Sequence, residues 1–89
     1  MNIHVYDTHV HTQSGEYLHF DVLVNDQNVP HVERYANAYL SSLGIEKEAI
    51  KQGRCQFCHS EIATPEVQAQ IIKQGYCILP LRIDTSLAG

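Results

Sequence analysis

The chain has 89 residues, of which 44% are hydrophobic, and its formal net charge is −4 at pH 7. This length suits one domain with a modest core, so we predict a single domain over residues 1–89 with a frayed tail at residues 84–89. The six lysine and arginine residues are scattered, which argues against nucleic acid as a partner. No apolar stretch approaches the ~20 residues that span a bilayer and no signal segment opens the chain, so we expect a cytoplasmic protein without a membrane partner.

Two segments rich in β-branched and aromatic residues, 3–12 and 16–25, flank the turn-forming sequence Gln13-Ser14-Gly15. This pattern predicts an antiparallel β-hairpin. A three-residue loop that closes on a left-handed glycine is the expected turn, because Ser-Gly is a weaker two-residue turn than Asn-Gly or Asp-Gly. Such a loop places Thr12 opposite Glu16.

Counting back from this turn fixes which residues share a face of the hairpin. His9 should lie opposite His19, and Asp7 opposite Asp21. One face then collects the polar residues Asp7, His9, His11, His19 and Asp21, and the other collects Tyr6, Val10, Leu18, Phe20, Val22 and Val24. A two-residue loop would instead mix the two sets and bury polar groups without partners, at roughly 1–3 kcal/mol each. We therefore expect a polar, solvent-facing side on the hairpin.

Two helices are predicted downstream. From Pro30, apolar residues recur at the spacing of one helical face and the run ends at Gly44; these residues are Val32, Tyr35, Ala36, Tyr39, Leu40 and Leu43. The second helix should begin after Thr64 as N-cap, with Pro65 in its first position, and should end at Gly75.

The remaining segments predict one or two further strands. In residues 76–83, four residues should alternate onto one face, and Pro80 favours an edge position; these four are Cys77, Leu79, Leu81 and Ile83. Residues 45–53 fit either a helical turn or the approach to a short strand that includes part of 54–59, and we favour the strand. Together the elements predict a two-layer α+β fold in the order β-β-α-(β)-α-β. In this fold the hairpin extends to a sheet of three or four strands, and two helices cover one face.

Several short motifs along nearly the whole chain resemble one bacterial family. They are Ile3-His-Val-Tyr-Asp-Thr-His-Val10, His19-Phe-Asp-Val22, Tyr39-Leu-Ser-Ser-Leu-Gly44, Cys55-Gln-Phe-Cys58-His59, Pro65-Glu66 and Gly75-Tyr76. As a set they are similar to domain of unknown function 2024. The resemblance implies a compact two-layer α+β fold and supplies no activity, ligand or catalytic residue. Cys77 lies outside the motifs that carry the resemblance.

The segment Cys55-Gln-Phe-Cys58-His59 has the Cys-x-x-Cys-His spelling, which has several uses. Covalent c-type haem is disfavoured, because attachment normally follows export and Met1 is the sole methionine. A zinc site could use Cys55, Cys58 and His59, yet a structural zinc ion wants four ligands and only one Cys-x-x-Cys is present. A redox dithiol wants its first cysteine at a helix N-terminus, whereas the N-cap Thr64 lies nine positions beyond Cys55. The fourth interpretation is packing of the cysteines as small apolar groups.

The polar hairpin face is the other candidate site. Imidazole beside carboxylate suits a divalent transition metal or a proton-transfer site, and the plain alternative is a solvated sheet face. Two aspartates directly opposite each other should repel unless a protonated histidine, a bound cation or solvent spreads their charge. If a metal binds, we expect Cys55 and Cys58 to hold it.

No nucleophile elbow, phosphate loop or metalloprotease motif is present, so the sequence gives no positive evidence for an enzyme. We predict a small binding or interaction module that has no catalysis of its own and takes a protein or a small ligand as its partner. The alternative is a small metal-dependent or thiol-dependent enzyme that uses the Cys55–His59 segment. No cofactor is established, and zinc is the one that these residues would suit.

Overall fold

The computed structural model describes residues 1–84, which form a four-stranded antiparallel sheet and two α-helices. The strands are β1 (Asn2–Thr12), β2 (Tyr17–Val24), β3 (Ile50–Ile62) and β4 (Cys77–Asp84), in the sheet order β3-β1-β2-β4. The helices are α1 (Val32–Ser42) and α2 (Pro65–Gln74), with short 3₁₀ segments at Asp26–His31 and Lys47–Ala49. Within residues 1–84, neither helix is long and apolar enough to cross a membrane. The predicted α+β class and element order are confirmed.

The hairpin forms with the predicted register. The Thr12 amide donates to the Glu16 carbonyl at 3.0 Å, and Gly15 adopts the left-handed conformation with φ of 90°. Along β1 and β2, His9 pairs with His19 and Asp7 pairs with Asp21. The three-residue loop therefore fixes which side chains share a face.

Helix α1 covers the predicted apolar face of the hairpin. The main core joins even-numbered residues of β1 and β2 to α1 and the segment after it: Val10, Leu18, Phe20, Val22, Val24, Val32, Tyr35, Ala36, Leu40 and Ile45. Tyr6 and Tyr39 are partly buried against it. Leu43, predicted to share this face, is exposed, because α1 ends at Ser42 and the chain turns at the left-handed Gly44.

Helix α2 has the predicted ends. The Thr64 side chain accepts from the Val67 amide, Pro65 opens the helix, and Gly75 closes it in the left-handed conformation. Its position differs from the prediction of two helices on one face. Ile71 packs into a second core cluster with Ile3, Val5 and Leu23, which are odd-numbered and lie on the face opposite α1.

The reason for this difference lies at one end of the sheet. Val22, Leu23 and Val24 are consecutive and all buried, so the end of β2 is covered on both faces. The sheet is thus two-layered where the polar residues of the hairpin lie, and three-layered where α2 covers Ile3 and Val5.

Strand β4 is an edge strand, as Pro80 indicated, but its apolar residues do not share one face. Leu79 pairs with Asp21 on the polar face, whereas Ile83 pairs with Leu18 on the α1 face. A register shift between His19 and Phe20 of β2 breaks the simple alternation. The tail predicted at residues 84–89 begins inside β4 at Asp84, and residues 85–89 lie outside the described part of the chain.

The strand favoured for residues 45–53 is wrong at Lys47–Ala49, which form a 3₁₀ turn, and is correct from Ile50 onward. Strand β3 is also far longer than predicted. It runs for 13 residues from Ile50 to Ile62 along the outer edge of β1. The residues of β3 are mostly exposed, so they lack the apolar alternation that reveals a strand. The segment Cys55–His59 lies within β3 and not in the first turn of a helix, as predicted.

Candidate metal centre

The polar face of the hairpin brings three of its five predicted residues into one cluster. Among residues 1–84, the side chains of Asp7, His9 and His19 form the set of three potential metal ligands whose donor atoms all lie within 4.8 Å of one another. The three residues come from β1 and β2, the two central strands of the sheet. They are partly exposed, with side-chain exposures of 35% for Asp7, 35% for His9 and 26% for His19.

The cluster is held by hydrogen bonds to the two oxygens of Asp7. His9 Nε2 donates to Asp7 Oδ2 at 2.8 Å, and His19 Nε2 donates to Asp7 Oδ1. Because an ionised carboxylate only accepts, both Nε2 atoms carry the proton. The imidazole rings stack with centroids 4.1 Å apart and an interplanar angle of 14°. Both histidines therefore present the same nitrogen to one point on the sheet.

The surroundings of Asp7 favour its ionised carboxylate form. Partial burial alone raises the pKa of Asp7, but the hydrogen bonds from His19 and His9, with their charges, outweigh it. The net effect lowers the pKa of Asp7 below its usual value of 3.8. Asp7 is thus a carboxylate throughout the neutral pH range.

Asp21 lies directly opposite Asp7 and titrates in the other direction. Burial raises the pKa of Asp21, and the charge and hydrogen bonding of Asp7 raise it further. The charges of His19 and His59 offset only part of this effect. The repulsion expected from two facing aspartates therefore acts mainly on Asp21, whose ionised form it disfavours.

Two aromatic residues support the cluster from the turn side. The second nitrogen of His9, Nδ1, is hydrogen-bonded to the Tyr17 hydroxyl, which fixes the orientation of the imidazole ring. His11 is exposed and packs on the Tyr17 ring at a centroid distance of 4.8 Å. His11 thus shares the predicted face but lies outside the three-residue cluster.

Strands β3 and β4 add two arginines that the sequence did not reveal. Arg54 of β3 pairs with His9, and Arg82 of β4 pairs with His19, so one row across the sheet reads Arg54, His9, His19, Arg82. The Arg82 guanidinium bonds to Asp84 at 2.7 Å and lies 5.7 Å from the centre of the Tyr17 ring. Only the pairing of strands distant in sequence creates this row, so no local signal could have found it.

The cysteine segment is stretched along the edge strand β3. Cys55 pairs with Thr8 on the α1 face, where the Thr8 hydroxyl donates to Cys55 Sγ at 3.2 Å. Cys58 lies at a register shift opposite Val5 and Tyr6 and is exposed. His59 Nδ1 lies 3.3 Å from Cys58 Sγ. Among the described residues, Cys55, Cys58 and His59 do not come together as a set of three ligands.

The two partly buried thiols, Cys55 and Cys77, do not have the lowered pKa that a nucleophilic thiolate needs. Burial raises the pKa of Cys55, and the hydrogen bond from Thr8 offsets this only in part. Burial also raises the pKa of Cys77. Cys77 lies on β4, three strand spacings from β3 and hence about 14 Å away across the sheet, so it cannot complete a site with Cys55.

The comparisons with known proteins agree with this fold. The family pattern of a domain of unknown function (DUF2024) matches residues 1–81. The chain belongs to this family. The fold is similar to the NMR structure of protein NE1680, a structural genomics target from the bacterium Nitrosomonas europaea, at 38% sequence identity and a TM-score of 0.75. The alignment covers 92% of this chain and 96% of that one. No curated protein matches.

Proposed function

We propose that this domain is a binding module that holds a divalent transition-metal ion between Asp7, His9 and His19. The observation that carries the proposal is the convergence of their three donor atoms within 4.8 Å. Two imidazoles and one carboxylate are the donor set that zinc, iron(II) and related ions prefer in proteins. The sequence predicted that these three residues share the polar face of the hairpin. The pairing of β1 with β2 brings their side chains close together.

The scaffold favours a preformed site. Both strands are central in the sheet, and even-numbered neighbours of the ligands, Val10, Leu18 and Phe20, are buried in the main core. Tyr17 holds the second nitrogen of His9, as outer partners of metal-binding histidines do. A metal ion would bind each ring at Nε2 and leave one proton on Nδ1. A doubly protonated histidine must therefore release a proton before it binds, so metal binding strengthens as pH rises.

Three protein ligands leave at least one coordination position open, which suits a site that binds a further molecule. The partner we propose is accordingly a protein or a small ligand that reaches the exposed polar face. We propose no nucleic-acid partner, because the lysine and arginine residues are scattered. We propose no membrane partner, because no apolar stretch approaches the ~20 residues that span a bilayer. We also propose a cytoplasmic location, which the three unpaired cysteines support.

The thiol alternative has weaker support. Cys55 and Cys58 are separated along an extended strand, and burial raises the pKa of Cys55, which opposes the thiolate that a metal or a nucleophilic reaction needs. We therefore place the metal on the histidine-aspartate cluster and not on the Cys55–His59 segment, and we assign no catalysis to either.

The test is zinc titration by calorimetry, on untagged protein stripped with a chelating resin. Wild type should bind about one zinc ion per chain, and His19→Ala should weaken binding by at least about a hundredfold, since a direct ligand matters more than an outer partner. His11→Ala is the matched control, because His11 lies on the same face outside the cluster. It should retain wild-type affinity.

The double variant Cys55→Ser/Cys58→Ser separates the two candidate sites. It should bind zinc as wild type does. If the cysteine variant lost zinc binding and His19→Ala retained it, the metal site would lie on β3 and not on the hairpin. An absence of binding in wild type would refute a metal function altogether.

A further inference from the structure

A second feature of the polar face lies beside His9 and includes neither Asp7 nor His19. A surface cavity of about 290 Å³ is lined by residues from three strands: His9, His11, Tyr17, Gln52 and Arg54. His9 separates it from the cluster, because its Nε2 points to Asp7 and its Nδ1 to Tyr17. The cavity is therefore distinct from the cluster, although His9 borders both.

The strand register shows how the cavity is built. His11 of β1 lies between Tyr17 of β2 and Gln52 of β3, and Arg54 pairs with His9 in the next row. The lining contains one guanidinium, one side-chain amide, a phenol and two imidazoles. No carboxylate is among the lining residues, although acidic side chains outnumber basic ones in the chain as a whole.

Arg54 is the one lysine or arginine among the residues that line this cavity. Among residues 1–84, no ion pair includes Arg54, whereas the other arginine of the same row, Arg82, is bound to Asp84. Arg54 and Gln52 lie two positions apart on β3, and both line the cavity. A guanidinium and an amide both offer N–H donors to a small oxyanion, which accepts several such bonds. The Tyr17 and His11 rings provide flat walls beside it.

We propose that this cavity binds the oxyanion group of a small ligand, a carboxylate or a phosphate, through Arg54 and Gln52. The site does not require the metal, because all of its lining groups except His9 lie outside the proposed ligand set. The cluster of Asp7, His9 and His19 does not indicate which further molecule binds to the polar face. The cavity indicates one that carries an oxyanion group.

The experiment is NMR titration of metal-stripped, ¹⁵N-labelled protein with inorganic phosphate and, separately, with acetate. Sodium chloride at matched ionic strength is the control, and pH is held constant. At least one anion should cause saturable shifts in the Gln52 side-chain amide and the Arg54 Nε–H signals. The anion that binds more tightly identifies the group, and shifts that grow linearly for both would overturn the proposal.

Matched arginine variants locate the site. Arg54→Gln should weaken anion binding by at least about tenfold, because the charge-assisted hydrogen bonds are lost. Arg82→Gln removes the same charge from the other end of the row and should change the affinity less than about twofold. Equal losses in the two variants would show general electrostatics and overturn the assignment to this cavity. Zinc affinity, measured in parallel, should be unchanged in Arg54→Gln, so failure here is distinguishable from failure of the metal site.

Discussion

Replacing Asp21 with asparagine should stabilise the metal-free domain at neutral pH. Asp21 faces Asp7 directly across β1 and β2, and burial together with the charge of Asp7 raises its pKa above 3.8. A like-charged pair in this position costs roughly 0.2–1 kcal/mol, and the isosteric amide removes that cost. For a domain of this size each kcal/mol shifts the melting temperature by about 4–8 °C, so Asp21→Asn should melt about 1–8 °C higher than wild type.

The pH dependence follows from the direction of the shift. The folded state holds the Asp21 proton more tightly than the unfolded chain, so the wild-type domain loses stability as pH rises from 3.8 through the folded pKa. The advantage of Asp21→Asn should therefore be complete above that folded pKa and absent below 3.8.

The assay is thermal unfolding by circular dichroism from acid to neutral pH in a chelator-treated sample. Asp7→Asn is the matched control, because the pKa of Asp7 is lowered and its charge is favourable in the folded state. It should lower the melting temperature at neutral pH, with a deficit that shrinks as pH falls below 3.8 towards the lowered pKa. A melting temperature for Asp21→Asn equal to or below that of wild type at neutral pH would show that repulsion between Asp7 and Asp21 does not destabilise the domain.

Two further predictions test the placement of α2 by thermal or urea unfolding. Ile71→Ala should lower the free energy of unfolding by about 2–5 kcal/mol, because Ile71 is 3% exposed in the second core cluster. Ile72→Ala should lower it by less than about 0.5 kcal/mol, because Ile72 is 71% exposed. Similar losses in the two variants would contradict the assigned face of α2. Gly75→Ala should destabilise more than Gly44→Ala. Both glycines have positive φ, so alanine is strained at either position. Only at Gly75 would the added Cβ also lie 2.7 Å from the Tyr35 hydroxyl. Equal losses of unfolding free energy in the two variants would show that this contact is unimportant.

The local parts of the fold could be predicted from the sequence because their signals are local. The loop Gln13-Ser14-Gly15 fixed the hairpin register, and Thr64, Pro65 and Gly75 fixed the ends of α2. The prediction for the face covered by α2 was wrong, because it treated the odd-numbered face of the hairpin as polar along its whole length, although Ile3, Val5 and Leu23 lie on that face. Those odd-numbered apolar residues were a readable sign that a second layer covers that end.

The candidate site was predictable only in its residues. Alternation along β1 and β2 placed Asp7, His9 and His19 on one face, but their hydrogen-bonded convergence depends on side-chain geometry that spacing does not show. Arg54 reaches the same face through pairing with a strand more than 40 positions away along the chain. The Cys-x-x-Cys-His spelling was conspicuous, yet the extended strand keeps Cys55 and Cys58 from forming a compact ligand set with His59.

The most direct test of the metal centre is the ¹⁵N spectrum of the histidine rings before and after addition of one equivalent of zinc. We expect large shifts at Nε2 of His9 and His19, with metal bound to that nitrogen and the proton on Nδ1. The His11 and His59 rings should keep their metal-free signals. Zinc-dependent shifts at His59, or none at His9 and His19, would contradict the assignment of the metal to this face of the sheet.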